Sequence, residues 1–158
     1  MTLRTGVFTA SFLAVAFALA GCGGGSKETG GASQPAATAG VAAVSKYDAG
    51  PRAGEEPIDK EQAETGEQLF KDKGCSACHA FGAKSSGPDL KGVSMRRTAL
   101  WMENQILHPE VMVKEDPIAR AMFAQYALQM TNQHLTPAEA KAVIEYLKHQ
   151  DHEQSEVH

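Results

Sequence analysis

Two cysteines and a histidine lie within five positions near the middle of the 158-residue chain, in the run Cys75-Ser76-Ala77-Cys78-His79. Two thiols separated by two residues are about one helical turn apart, which suits addition to the two vinyl groups of a haem. The imidazole that follows the second thiol can bind the iron as an axial ligand. The run therefore predicts covalent haem attachment through Cys75 and Cys78, with His79 as the proximal ligand.

A C-x-x-C pair also occurs in dithiol redox proteins and in zinc sites. A redox pair usually follows a strand and opens a helix, whereas a helical pattern precedes Cys75. A zinc site with four protein ligands needs a second Cys pair or paired histidines at suitable spacing. The chain has only one further cysteine, Cys22, more than fifty residues away. Both alternatives are therefore less well supported than haem.

The first 21 residues are organised like an export signal. A short basic start is followed by an apolar stretch over 7–20, which is too short to span a membrane. The stretch ends in Leu19-Ala20-Gly21-Cys22, which resembles the cleavage box of bacterial lipoproteins. This resemblance implies that Cys22 is acylated and anchors an exported chain to a membrane, facing the periplasm or the cell exterior. An ordinary secretory signal is the alternative, and it also takes the chain out of the cytosol.

Composition divides the rest of the chain into three parts. Residues 22–57 are rich in Gly, Ala, Ser and Pro, which predicts a flexible tether. The folded domain is expected over 58–149, and 150–158 has the composition of a polar tail.

With 15 basic and 19 acidic residues the net charge of the chain is −4, which argues against nucleic acid as a partner. Residues 71–97 are locally basic, and we expect them to dock on an acidic redox partner.

Periodicity and capping signals predict an all-α domain. The expected helices are Asp59–Lys73, Thr98–Leu107, one that begins at Asp116-Pro117 and one that begins with the capping box at Thr136. His108-Pro109 is expected to end the second helix. The apolar positions expected to face the core in the last two helices are Ala119, Met122, Phe123 and Tyr126, and then Ala140, Val143, Ile144 and Leu147.

Residues 59–149 resemble a class I cytochrome c. Besides the C-x-x-C-H run, the matching residues are Gly66 and Phe70 in the first helix, Tyr146 in the last helix, and the loop Gly87-Pro88-Asp89-Leu90. The resemblance implies a small helical domain wrapped around one covalent haem, with Gly66 allowing a close crossing of these two helices. It also implies that the Pro88 carbonyl accepts a hydrogen bond from the His79 ring, as outer partners of metal ligands do.

The sixth iron ligand has to come from later in the chain. The methionines after the motif are Met95, Met102, Met112, Met122 and Met130. The run Met130–Thr136 resembles the family's Met-Pro-Asn loop, although Thr131 stands in place of the proline, and this implies Met130 as the distal ligand. Met112, in a segment without a helical pattern, is the next candidate, and His134 is the third. By the same resemblance, Arg96, Arg97 and Trp101 are candidate partners of the haem propionates.

Ligation by His and Met raises the reduction potential and leaves no open iron position, which is typical of an electron carrier rather than an enzyme. The resemblance thus implies a monomeric monohaem carrier between respiratory complexes. A haem-based ligand sensor or small peroxidase with an exchangeable sixth ligand is the alternative, and a structural lipoprotein without haem is a third. Residues 101–109 and 116–122 are similar to a subgroup of cytochromes c, some of which accompany nitrous oxide respiration, so a copper reductase is a candidate acceptor.

Overall fold

The computed structural model describes residues 44–156, and within this range the regular secondary structure is entirely helical. The α-helices are α1 (Lys60–Asp72), α2 (Val93–Arg96), α3 (Ala99–Leu107), α4 (Pro109–Glu115), α5 (Pro117–Tyr126) and α6 (Pro137–Glu156), and 3-10 turns cover Ala53–Glu55 and Cys75–Ala77. The predicted all-α fold is confirmed for this part of the chain. The predicted export signal, Cys22 and residues 22–43 of the predicted tether lie outside the described residues.

Side-chain caps begin four helices where the sequence indicates. The side chains of Asp59, Thr98 and Asp116 accept hydrogen bonds from backbone N–H groups in the first turns of α1, α3 and α5. Before α6, Thr136 and Glu139 form the predicted capping box: Glu139 N donates to Thr136 Oγ1 over 3.3 Å, and Thr136 N donates to Glu139 Oε2 over 2.7 Å. Each cap satisfies N–H groups that have no partner within the helix.

The segment between α3 and α5 is helical, whereas the sequence indicated irregular structure. Pro109 follows the end of α3 as expected, but it also begins α4, because proline fits the first turn of a helix, where no N–H is needed. Met112 is consequently a residue of α4, and only 1% of it is exposed. The interpretation of Met112 as a loop residue is therefore wrong.

The crossing of α1 and α6 has the close contact that the resemblance implied. A Cβ atom added to Gly66 would lie 1.9 Å from the Ala142 carbonyl oxygen and 2.9 Å from Tyr146 Cβ, so only glycine fits this distance between the helices. Beside it, the Phe70 and Tyr146 rings lie 5.4 Å apart between centroids, and the Phe81 ring completes the cluster. Offset aromatic contacts of this kind add stability beyond the area that they bury.

Residues 44–57, which we call the N-terminal strap, pack on the helices instead of belonging to a tether. Asp48 accepts hydrogen bonds from the Thr98 backbone N–H (2.8 Å) and from Arg52 (3.0 Å). Arg52 in turn donates to the Arg96 carbonyl (2.9 Å), and Ser45 is buried. The predicted boundary at residue 57 therefore falls inside the folded part. Composition could not show this, because the strap is attached mostly by polar groups, and a single small residue, Ala53, joins the core cluster.

The C-terminal residues up to Glu156 continue α6 and do not form a frayed tail. Asp151 is 9% exposed, and its carboxylate accepts hydrogen bonds from the backbone N–H (2.8 Å) and the hydroxyl (2.7 Å) of Ser94. The Gly92 N–H also donates to it. The end of α6 thus holds the segment that precedes and begins α2. No helix in the described range is both long and apolar enough to cross a membrane.

Candidate functional site

Residues from all six helices line a mainly apolar cavity of about 280 Å³. Protein interiors are close-packed and contain few voids larger than a water molecule, and an engineered core cavity of about 150 Å³ is already a large one. A cavity of this size in a small domain is therefore built to hold a bulky apolar group. Its lining includes all five residues predicted to hold a haem: Cys75, Cys78, His79, Pro88 and Met130.

The two cysteines lie on and directly after the 3-10 turn that follows α1. Gly74 has a φ of 74°, a left-handed conformation that glycine adopts at little cost, and it turns the chain from α1 into Cys75. Both thiols are free and half-buried. Burial raises the pKa of the Cys75 thiol above its ordinary value. The close pair is thus presented to the cavity by a rigid turn, as thioether attachment requires.

The His79 ring is oriented by the backbone of the following loop. Its Nδ1 lies 2.9 Å from the Pro88 carbonyl oxygen. A carbonyl can only accept, so Nδ1 carries the proton and Nε2 keeps its lone pair for a metal. Gly87 makes this approach possible, since a Cβ atom there would lie 2.9 Å from both the Cys78 carbonyl oxygen and His79 Cε1. The structure thus contains the hydrogen bond that the resemblance implied.

Asp89 shapes the same loop. Its Oδ1 accepts hydrogen bonds from the backbone N–H groups of Lys91 (2.8 Å) and Gly82 (2.7 Å). Mainly through the Lys91 amide, these bonds hold the pKa of the Asp89 carboxyl below its ordinary value, because an accepted hydrogen bond favours the ionised form. Asp89 was predicted only as part of the loop motif, and its role in fixing the loop was not foreseen.

Met130 lies in the irregular segment between α5 and α6, residues 127–136, which we call the ligand loop. Two non-glycine residues of this loop have a positive φ, Ala127 at 50° and His134 at 55°. Asn132 attaches the loop to α3: its Nδ2 donates to the Leu107 carbonyl (2.9 Å), and its Oδ1 accepts from the His134 N–H (2.8 Å). Met130 itself is half-buried and faces the cavity.

The other ligand candidates are less well placed. Met112 does not line the cavity and is packed in the core cluster. His134 is exposed and is absent from the cavity lining as well. Met102 and Met122 do line the cavity, but both lie inside helices. Among the cavity-lining methionines, Met130 is thus the one in irregular structure. Phe123 was expected in the core, yet it is 43% exposed at the edge of the cavity.

A buried carboxylate that the sequence analysis treated only as a helix cap supports one wall of the site. Trp101 Nε1 donates to Asp116 Oδ1 over 3.1 Å, and Asp116 is 1% exposed. Burial alone would raise the pKa of Asp116, but the neighbouring Ser45 and the hydrogen bonds from the Ala119 amide and Trp101 outweigh it and lower that pKa. Asp116 thus links α3 and α5.

The residues suggested for the haem propionates all line the cavity, but two of them already have partners. The Trp101 N–H is bound by Asp116. Arg97 lies 5.1 Å from the centre of the Trp101 ring and forms an ion pair with Asp48 over 3.4 Å. Arg96 forms no ion pair within the described residues and is exposed at the cavity, and its guanidinium donates only to the backbone carbonyls of Lys91 and Asp89. Of the three, Arg96 is the residue best able to meet an acidic group.

Ion pairs also reduce the basic character of residues 71–97. Lys71 pairs with Glu67 over 2.7 Å, and Lys73 pairs with Glu139 over 3.6 Å. Together with Arg97, three of the six basic residues therefore have an acidic partner, and three keep none in the part of the chain that the structure describes: Lys84, Lys91 and Arg96.

Comparison with known proteins agrees with this site. The family model for cytochrome c matches residues 63–151, which is more than half of the chain and includes the cavity-lining cysteines, His79 and Met130.

The chain belongs to the cytochrome c family.

Among its relatives is cytochrome c-551 of Azotobacter vinelandii, 52% identical over 33 residues, which are 21% of this chain and 40% of that protein. The match thus spans less than half the length of this curated relative. A solved cytochrome c from Rhodothermus marinus is 32% identical, with a TM-score of 0.60 over 65% of this chain and 97% of its own. The cytochrome c domain of a Pseudomonas putida protein is 37% identical, with a TM-score of 0.51 over 58% of this chain and 93% of its own.

As a cytochrome c, the chain binds haem c covalently through cysteine. A single C-x-x-C-H motif and only three cysteines mean that it carries one haem. The free thiol pair, the oriented imidazole, the thioether and the apolar wall all fit this group.

Proposed function

We propose that the chain is a monohaem electron carrier in which Cys75 and Cys78 attach the haem, His79 is the proximal ligand and Met130 the distal ligand. The observation that supports this assignment best is the convergence of these four residues on one cavity, although Met130 is far from the others in sequence. The His79–Pro88 hydrogen bond adds to it, because it leaves Nε2 free to bind a metal.

Bound haem c supplies a one-electron couple between ferric and ferrous iron. The residues around the cavity set the reduction potential of this couple and would keep other molecules from binding the iron. The His79 ring is held by the Pro88 carbonyl and cannot turn freely, which also makes it a stronger donor. The Met130 thioether is a soft ligand that favours ferrous iron, and the apolar lining disfavours the more highly charged ferric state. With both ligands on protein, the iron can change charge with little movement.

The same arrangement argues for a carrier and against an enzyme. A peroxidase or ligand sensor needs a sixth iron position that exogenous molecules can reach, and Met130 would occupy that position here. The discriminating experiment adds carbon monoxide to the reduced protein and follows the visible spectrum. We expect no change over minutes in the wild type and immediate binding in Met130→Ala.

Met95→Ala is the matched control, since Met95 is 55% exposed and does not line the cavity. A wild type that binds carbon monoxide at once would favour the sensor or peroxidase. A Met130→Ala protein with the spectrum of the wild type would exclude Met130 as the ligand.

We further propose that the carrier is an exported lipoprotein anchored through Cys22. Its support is the Leu-Ala-Gly-Cys box at the end of an apolar stretch. Diacyl and N-acyl chains together would provide stable anchoring, whereas one chain alone binds a membrane only marginally. Mass spectrometry of the mature N-terminus tests this: we expect an acylated Cys22, and a chain that starts at an unmodified residue would refute it.

For its partners, we propose respiratory proteins with an acidic docking surface, and a copper reductase such as nitrous oxide reductase as an acceptor. The support is that three basic residues of 71–97 keep no ion-pair partner in the described part of the chain, namely Lys84, Lys91 and Arg96, and that Arg96 lies on the cavity. The similarity of residues 101–109 and 116–122 to cytochromes c of nitrous oxide respiration adds to it. We expect electron transfer to such a partner to slow as salt increases. Lys84→Ala should weaken this salt dependence, whereas the ion-paired Lys71 should matter less.

A further inference from the structure

Gln105 is a polar residue on the cavity face of α3. It lies four positions after Trp101 and three after Met102, so the three side chains share one side of the helix, and all of them line the cavity. The Gln105 Oε1 atom is buried and accepts no hydrogen bond within the described residues. Its Nε2 atom lies 3.7 Å from Met130 Sδ. Within the described residues, this contact is the single hydrogen bond of the Gln105 side chain.

A buried amide with an unpaired oxygen is costly, and a leucine or isoleucine at the same position would avoid the cost. Neither the packing of α3 nor its capping uses the amide. The remaining contact of the amide is with the sulfur of the residue that we assign as distal ligand. An arrangement of this kind is expected where a polar group serves the site rather than the stability of the fold.

A thioether sulfur has two lone pairs. When one of them binds iron, the other remains able to accept a weak hydrogen bond. We propose that Gln105 is a positioning residue for Met130: the Nε2–H donates to Sδ, fixes the orientation of the thioether, and would draw electron density from the sulfur when haem is bound. This inference rests on the proposed ligation by Met130. Weaker donation from the sulfur stabilises ferric iron less, so Gln105 raises the reduction potential, and it also opposes release of the ligand.

The test replaces Gln105 by leucine in the haem-loaded full-length protein and measures the affinity of the ferric form for imidazole, which competes with Met130. A hydrogen bond of ordinary strength changes such an equilibrium about 2- to 12-fold, and we expect imidazole to bind more tightly by a factor in this range. Gln125→Leu is the matched control: the same substitution is made on α5, at an exposed residue that does not line the cavity, and its affinity should be that of the wild type.

The reduction potential distinguishes hydrogen bonding from packing. Loss of the donor should lower the potential, with a tenfold shift toward ferric iron equal to 59 mV for a one-electron couple. If Gln105 served only to fill space, an apolar replacement would make the site less polar and raise the potential instead. A potential that is unchanged or higher in Gln105→Leu, or an equal effect of Gln125→Leu, would overturn the proposal.

Failure of this inference can be told apart from failure of the ligand assignment. In the reduced wild type, the ring current of the haem should shift the methyl resonance of a bound methionine far upfield in the proton spectrum, and Met130→Ala should lose that resonance. If the resonance is absent from the wild type or survives in Met130→Ala, the ligand assignment is wrong. If it depends on Met130 but Gln105→Leu leaves the imidazole affinity unchanged, only the role of Gln105 is refuted.

Discussion

The crossing of α1 and α6 and the ligand loop are two regions of the same haem domain with opposite properties. At the crossing, Gly66 lies against the backbone of α6, and the Phe70 and Tyr146 rings pack beside this contact. In the ligand loop, the chain has no regular structure, two non-glycine residues have a positive φ, and the Asn132 side chain attaches the loop to α3.

This difference indicates that the two regions have separate roles, one in stability and one in holding the ligand. The crossing carries the global stability, since its contacts form only when the two ends of the domain are together. The loop holds one ligand with a few polar contacts, so its attachment can change without unfolding the domain. Regions of low local stability are those from which adjustable binding segments are drawn. The substitutions below are expected to separate global from local effects.

The largest effect is expected at the crossing. Gly66→Ala places a methyl group 1.9 Å from the Ala142 carbonyl, so the helices have to separate, and we expect a loss of about 3 kcal/mol or more in the free energy of unfolding. Denaturant unfolding followed by circular dichroism measures it. Gln68→Ala, on the exposed side of α1, is the control and should be nearly neutral. A Gly66→Ala protein as stable as the control would show that the crossing is loosely packed.

A smaller effect is expected at the start of α5, the helix that leads into the ligand loop. Asp116→Ala removes the cap and leaves the buried Trp101 N–H without its acceptor, and we expect a loss of about 2 kcal/mol. Urea unfolding of the haem-loaded protein measures this. An unchanged midpoint would mean that strap and helices are held by other contacts.

The charge of Asp116 adds a dependence on pH. Its pKa in the folded protein lies below the ordinary value of 3.8, so the carboxylate stabilises the fold above about pH 4 and this stabilisation is lost as the pH falls through the lowered pKa. Asp116→Asn keeps a capping side chain but not the charge. We therefore expect the stability difference between wild type and Asp116→Asn to be greatest near neutral pH and to shrink in acid. A difference that stays constant with pH would contradict this.

A local effect is expected within the ligand loop. Asn132→Ala loses the hydrogen bonds to the Leu107 carbonyl and from the His134 N–H. We expect about 1 kcal/mol of local destabilisation, seen as roughly fivefold tighter imidazole binding to the ferric protein, with a nearly unchanged unfolding midpoint. If Asn132→Ala lowers the midpoint as strongly as Asp116→Ala does, the loop is not an independent unit.

The smallest effect should have the opposite sign. At Ala127, with a φ of 50°, glycine relieves the cost of about 1 kcal/mol that a side chain has in the left-handed region. The greater freedom of glycine in the unfolded chain offsets part of this gain. We expect Ala127→Gly to stabilise the protein by about 0.5 kcal/mol, and thermal unfolding can detect it. A destabilised Ala127→Gly protein would mean that the strain is not present in solution.

The sequence was most informative where local chemistry dictates structure. Four helices begin where the sequence predicted, at Asp59, Thr98, Asp116 and Thr136, and the caps predicted at Asp116 and Thr136 are present. The close helix crossing at Gly66 and the loop of residues 87–90 behind His79 could be predicted because both match a family pattern. Ligation by Met130 stays a prediction, although the structure places this residue on the cavity and Met112 elsewhere.

The features that were missed depend on contacts between residues distant in sequence. Asp48, Asp151 and Gln105 each act through a polar partner in another segment, and such pairs leave no periodic signal. Pro109 was read as a stop because proline ends one helix and begins another with equal ease. Local sequence patterns were therefore enough to locate the helices. The boundaries of the domain could be found only from contacts in the folded structure.

The Asp151–Ser94 contact sets a minimum size for transplanting this haem unit into another protein. A fragment cut at the compositional limits, 58–149, would lack Asp151 and leave the Ser94 hydroxyl and two backbone amides without their acceptor. It would also lack Asp48, which holds the N-terminal strap against the start of α3. A portable version should therefore run from residue 44 to at least residue 151, with any fusion partner joined outside those limits.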